Sequence, residues 1–173
     1  MYETILVPVD GSPAATAGLD EAIRIAVHTG ARLHLMNVVD DMAFSNAAEA
    51  FDPERTAGGK LGSMVREGGE KVLRQARARA EAKGVFASTA LVRSAAEHLQ
   101  ALVARHVEES GADLVVLGTH AQRRLSRLFM SDESEHLLNV VGVPVLLVRS
   151  AADGPGVSVV EITTSDSVFQ PTP

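Results

Sequence analysis

Residues 113–135 carry the strongest chemical signal in the chain. An apolar run, Asp113-Leu-Val-Val-Leu117, ends on Gly118-Thr119-His120. It then passes through a loop holding Arg123, Arg124 and Arg127 and reaches Ser131-Asp132-Glu133-Ser134-Glu135. A strand that ends on glycine and leads into a helix start is a device for holding anions, because backbone N–H groups approach the phosphate oxygens and the helix N-terminus points at them. Here the small residues such a loop needs are mostly missing, and carboxylates stand where the next helix begins. Asp132 and Glu135 have the spacing of a capping box, so the chain can satisfy those N–H groups with its own side chains. The three arginines offer an alternative route by which phosphate is drawn in. His120 is suited by type to proton transfer, but no Ser or Asp at a recognisable spacing completes a triad with it.

A second set of residues at strand ends belongs with this loop. Ile5-Leu-Val-Pro-Val9 runs into Asp10-Gly11-Ser12-Pro13, and residues 32–39 end on Val38-Val39-Asp40. Asp10 has two uses: its carboxylate can hydrogen-bond a ligand, or it can organise the turn into the helix that follows. The remaining histidines, His28, His34, His98, His106 and His136, show no i,i+4 pairing on an expected helix, and 98 to 106 is too long a step for one metal. They are expected at the surface or its boundary. Met36, Met42, Met64 and Met130 are expected to fill gaps in packing, with Met130 near the pocket mouth.

These residues are positioned by a regular alternation. Apolar runs at residues 4–9, 32–39, 85–92, 113–117 and 143–149 read as buried strands. Helical spacing fills 13–28, 61–83 and 95–110, and a short helix is expected near 132–141. In the first helix Ala17, Ile23 and Val27 share a face, with Ser12 as N-cap and Gly30 as the stop. The second has Val65, Val72 and Ala76 on one side, with the mixed run Arg74 to Glu81 as its solvated face. The third has Leu99, Leu102, Val103 and Val107. Strand–helix–strand repetition demands parallel strands with right-handed crossovers and helices on both faces of an open, Rossmann-like α/β sheet. Function in such sheets sits at the carboxyl ends of the strands. Residues 41–59 break the alternation and read as a surface excursion near that rim. Residues 150–173 shift to Gly, Pro, Ser and Thr around one strand-like run, 157–163, and read as either a disordered tail or an added edge strand.

Composition narrows the classes of function. With 173 residues the chain has material for one domain and a tail, and 46% apolar but only 3% aromatic residues imply an aliphatic core. A formal net charge of -6 opposes loose binding to nucleic acid or anionic lipid. The absence of cysteine removes thiolate catalysis, disulfides and Cys-ligated metal sites. The opening Met1-Tyr-Glu-Thr-Ile lacks the pattern of a secretory signal, and no run reaches membrane-spanning length, so a cytoplasmic location is expected. No metal is expected.

Taken in order, residues 5–12, 33–40, 112–120, Leu125-Ser-Arg-Leu128 and Val143-Pro-Val-Leu-Leu-Val-Arg149 resemble the universal stress protein family, within the UspA-like adenine-nucleotide hydrolase superfamily. The resemblance covers residues 1–149. It implies a five-stranded parallel sheet in the order 3-2-1-4-5, a homodimer formed through the last strand, residues 143–149, and a stress-related role without settled chemistry. An apolar final strand left as a bare edge points independently to such pairing. Members of the family that hold ATP carry two glycines separated by two residues, then nine residues, then Gly followed by Ser or Thr. Laid on this chain, those positions are Gly118, Ala121, Ser131 and Asp132, and only Gly118 keeps its type. Pro8, Asp10, Val38 and Leu117 match the adenosine half, with His120 beside them. A carboxylate at position 132, about 5 Å from a phosphate oxygen, opposes it by roughly 3 kcal/mol at an effective dielectric of ~20. The expectation is therefore a non-enzymatic stress protein acting through an unidentified protein partner, with no resident cofactor. The alternative is an ATP- or AMP-binding member with slow or no hydrolysis. An ATP pyrophosphatase-type enzyme would need Ser-Gly-Gly-x-Asp-Ser after the first strand, where this chain has Val9-Asp-Gly-Ser-Pro13.

Overall fold

The computed structural model describes residues 1–40, 60–94, 99–119, 141–150 and 161–163. Strands β1 (Thr4–Pro8), β2 (Arg32–Asp40), β3 (Ala87–Ser94), β4 (Leu114–Thr119) and β5 (Val145–Arg149) form a parallel sheet in the order 3-2-1-4-5. A sixth strand, β6 (Glu161–Thr163), joins the outer edge of β5 antiparallel. The expected helix at 132–141 and the excursion at 41–59 lie outside the described residues.

Alternation along each strand sorts the core into two layers. Ile5, Val7, Leu33, Leu35, Leu114 and Val116 face helices α1 (Pro13–Thr29) and α2 (Lys60–Glu81). Leu6, Met36, Val115 and Leu117 face α3 (Leu99–Ser110) through Leu102, Val103 and Val107. Helices on both faces follow from strands such as Ile5-Leu-Val7 and Leu114-Val-Val-Leu117, whose successive apolar residues point to both sides of the sheet.

Local chemistry sets the boundaries. Ser12 caps α1, its Oγ accepting from the Ala15 N–H at 3.1 Å, and the Gly30 N–H closes the helix on the Ala26 carbonyl at 2.8 Å. The buried stripe of α1 is Ala14, Ala15, Gly18, Leu19, Ala22, Ile23 and Ala26, turned from the expected one: Ile23 is kept, but Val27 is 54% exposed. Small residues won that face because the helix lies close to the sheet. Leu99 and Met64 are also exposed, so neither fills the core as expected, whereas Met36 is fully buried. Strand β3 begins at Ala87 rather than 85 and is less completely buried than β1, being an outer strand of the sheet with a neighbour on one side only. Strand β4 begins after Asp113, whose carboxylate accepts from the Glu3 and Thr4 N–H groups at 2.8 and 3.1 Å and ties the two strand starts together. Strand β5 begins after Pro144, which has no N–H to give and whose carbonyl accepts from the Val115 N–H at 3.0 Å.

The mixed charges of α2 lie on its outer face. Arg66 and Arg74 pair with Glu70, and Arg77 with Glu81, all at i,i+4. Arg79 instead reaches α1 and grips Asp20 through Nε and Nη2 at 2.5 and 2.6 Å. This bidentate contact holds the Arg79 guanidinium above its ordinary pKa. Beneath them, α2 approaches the sheet at Gly69: a Cβ there would lie 2.6 Å from Asn37 Oδ1, 2.6 Å from Leu91 Cδ1 and 2.9 Å from Val39 Cγ1. Gly68, one residue earlier, has open space at the same point.

These two glycines make a paired test. In urea unfolding, Gly68→Ala is expected to stabilise the chain by about 0.5–1 kcal/mol through helix propensity. Gly69→Ala is expected to lose about 1–3 kcal/mol by overpacking in spite of the same propensity gain.

Candidate functional site

The rim at the carboxyl ends of β1, β2 and β4 gathers the described members of the expected pocket. Pro8 pairs in register with Met36, and Leu6 with Val115. Two residues beyond Leu6 and Val115, Pro8 and Leu117 therefore share a row with Met36, and Val38 lies two residues further along β2 on the same α3 face. Leu117 is buried within that layer, and Val38 packs partly buried against it. Together these residues make an apolar wall of the kind an aromatic base needs.

The turn beyond β1 is held from several sides. The Val9 N–H donates to the Met36 carbonyl at 2.8 Å, and the Val9 carbonyl accepts from Asn37 Nδ2 at 2.6 Å. Asn37 is 5% exposed, and its Oδ1 has no hydrogen-bond partner; it faces the backbone of Gly69. Asp10, next in the chain, is exposed and accepts the Ser12 N–H on Oδ1 at 2.8 Å. That is a turn within the loop, and it presents Ser12 as the cap of α1. This bond is the turn-organising use open to Asp10.

Gly118 lies where β4 meets the start of α1. A Cβ at this residue would sit 1.8 Å from the Ala14 carbonyl oxygen and 2.8 Å from the Ala15 nitrogen. From the other side, a Cβ on Gly18 would come within 2.7 Å of the Gly118 nitrogen. Strand and helix thus touch backbone to backbone, and only glycine fits at the contact. His120, Ala121, Ser131 and Asp132, the other expected pocket residues, lie outside the described residues.

A groove of about 290 Å³ opens elsewhere, between α1 and α2, over Val9, Leu19, Val72 and Ala76. It lies on the opposite face of the sheet from Val38 and Leu117, and its one cation, Arg79, is engaged with Asp20. Its other polar lining residues are Thr16, whose Oγ1 donates to the Ser12 carbonyl at 2.9 Å, and Gln75.

The structure also joins two histidines that sequence spacing separates. His34 on β2 and His106 on α3 stack with ring centroids 6.2 Å apart and planes inclined by 26°. His34 Nδ1 lies 2.8 Å from Ser88 Oγ, and His106 Nδ1 donates to the Leu102 carbonyl at 3.1 Å. Both are partly buried, at the boundary between surface and core. They come from different elements and meet only through tertiary packing, so no sequence period marks them. Among the described residues no group of three or more His, Cys, Asp or Glu side chains is placed to hold a metal.

An open parallel α/β sheet with an apolar wall and a glycine near the end of β4 at its carboxyl rim defines a Rossmann-like fold. The chain belongs to the universal stress protein family: its residues 1–149 match the family described by that name. A universal stress protein, YxiE, of Bacillus subtilis is 26% identical over 152 residues, covering 86% of this chain and all of the relative. The crystal structure of a family member from Burkholderia pseudomallei is 34% identical, covers 85% of this chain and 96% of its own, and superposes with a TM-score of 0.63. A family protein from Arabidopsis thaliana, solved with AMP bound, is 14% identical, covers 87% and 94%, and has a TM-score of 0.60; that likeness shows the fold alone. Among the described residues no helix is long and apolar enough to cross a membrane.

Two outcomes are expected from this geometry. Gly118→Ala should destabilise the protein by about 3 kcal/mol or more in chemical denaturation without any nucleotide, because its neighbour is backbone and cannot swing aside. The second concerns pH. Burial, then the neighbouring His106, lowers the His34 pKa below 6.5, with Glu109 opposing. The unfolded chain then binds more protons than the folded one, so His34's contribution is present above pH 6.5 and is lost as pH falls through the lower folded value. His34→Gln should flatten the fall in melting temperature on acidification below pH 6.5.

Proposed function

We propose that this chain is a non-enzymatic, cytoplasmic universal stress protein that works by binding a protein partner and holds ATP weakly or not at all. The observation that carries this reading is the contact of Gly118 with Ala14. Gly118 is the only residue of the four-position phosphate pattern to keep its type, and its missing Cβ already serves the crossing of α1 and β4. Asp10 likewise has a complete structural task in the β1–α1 turn. The retention of both residues therefore needs no nucleotide to account for it. The substitutions at Ala121, Ser131 and Asp132 remain as the determinants of affinity, and the carboxylate of Asp132 opposes a triphosphate most strongly.

One observation favours a second reading. The apolar face carrying Pro8, Val38 and Leu117 matches the adenosine half of the pattern, and the Arabidopsis relative holds AMP. A monophosphate carries less negative charge than ATP toward the acidic helix start, so AMP would meet less of the repulsion assigned to Asp132.

Calorimetric titration separates these readings. Magnesium ATP should show no low-micromolar binding, and such binding would overturn the first reading. Saturable AMP binding without ATP binding would establish the second. Combining Ala121→Gly, Ser131→Gly and Asp132→Ser should raise ATP affinity on the order of a hundredfold. No gain in the triple variant would contradict the charge argument.

A further inference from the structure

Strand β5 presents Val145-Leu-Leu-Val148 with β4 on one side over its whole length, Val145 to Arg149. On its other side it meets β6 at three positions: Val145 with Thr163, Leu146 with Ile162 and Leu147 with Glu161. That outer edge is the surface through which residues 143–149 of two chains would pair. We propose that β6 is an intramolecular cap on a self-association edge, so that pairing with a second copy of this chain occurs only when β6 leaves.

Three features support the cap and identify its competitor. First, β6 lies beyond residue 149, where the match to the family ends, so this strand is an addition to the shared fold. Second, its direction is the relevant one. Two β5 strands related by a two-fold axis perpendicular to the sheet run antiparallel, and β6 runs antiparallel to β5. It therefore makes the same ladder that a twin strand would make, and the two cannot both be present at Val145–Leu147. Third, an uncapped strand of four successive apolar residues is an open template for another such strand.

The competition has a predictable winner in the free protein. Eleven residues, 150–160, separate β5 from β6, and a strand on so short a tether has an effective concentration of roughly millimolar. A second chain at micromolar concentration is about a thousandfold more dilute. The twin strand offers up to five ladder positions against three, which narrows this advantage. The full chain is accordingly a monomer at micromolar concentration, and loss of β6 turns it into a dimer.

The test uses the full-length chain in sedimentation velocity across a dilution series. Alternate residues of an antiparallel strand donate toward the neighbour, so Glu161→Pro with Ile162→Pro removes a ladder bond whichever residue makes it. The unaltered chain should sediment as a monomer and the double-proline variant as a dimer, with self-association tightened by about a hundredfold or more. A second variant keeps the sheet intact. The chain has no cysteine, so Leu146→Cys with Ile162→Cys provides a single bridgeable pair at facing positions. On oxidation it should form an intrachain disulfide and stay monomeric at every concentration. A dimeric unaltered chain, a double-proline variant that remains monomeric, or an interchain disulfide would each overturn the proposal, the last by showing that the strand crosses to the partner.

Discussion

The packing of this molecule turns on one approach: the backbone of α1 at Ala14 and Gly18 lies directly against the backbone of β4 at Gly118. A strand and a helix usually meet through side chains, which keeps their axes well apart. Here two glycines remove that spacing. The helix settles low on the sheet, and its buried face is made of Ala14, Ala15, Ala22 and Ala26 with Leu19 and Ile23. The β1–α1 turn must then be short and fixed. The Ser12 N-cap, the Asp10 turn and the two bonds on Val9 fix it. The candidate pocket borders this joint, so residues that look functional by position are also residues the fold requires.

That double duty shapes what could be read from the chain before its structure. The five parallel strands were legible because each centres on an apolar run and the helices between them have a cap or a stop, as with Ser12 and Gly30, whereas their order followed from the family resemblance. Element ends shifted where a side chain or proline intervened: Asp113 binds the start of β1, and Pro144 delays β5. The face of α1 was misjudged because sequence periodicity weighs Val27 above alanine, while close backbone packing reverses that order. Met64 and Leu99 show the same limit, since apolar character does not by itself bury a residue at a helix start.

The site was legible in its residues but not in their tasks. Pro8, Val38 and Leu117 lie on one face of the sheet near the rim, Val38 two residues beyond the row that Pro8 and Leu117 share with Met36. Gly118 reads as a phosphate contact in one dimension, and in three dimensions its missing Cβ also admits α1. The Asn37–Val9 bond and the clearance above Asn37 at Gly69 gave no sequence signal, because they join residues 28 and 32 positions apart through the layering of α2 on the sheet. The His34–His106 stack escaped for the same reason. Family membership and architecture therefore rest on order and spacing, whereas ligand affinity rests on individual contacts that order and spacing do not specify.

The central claim is that Gly118 serves the α1–β4 contact and not a bound triphosphate. It is tested most directly by following the Gly118 backbone amide in ¹⁵N-resolved NMR spectra while magnesium ATP is added. The account predicts that this resonance stays in place up to millimolar nucleotide. A saturable shift of the Gly118 amide at micromolar ATP would contradict it.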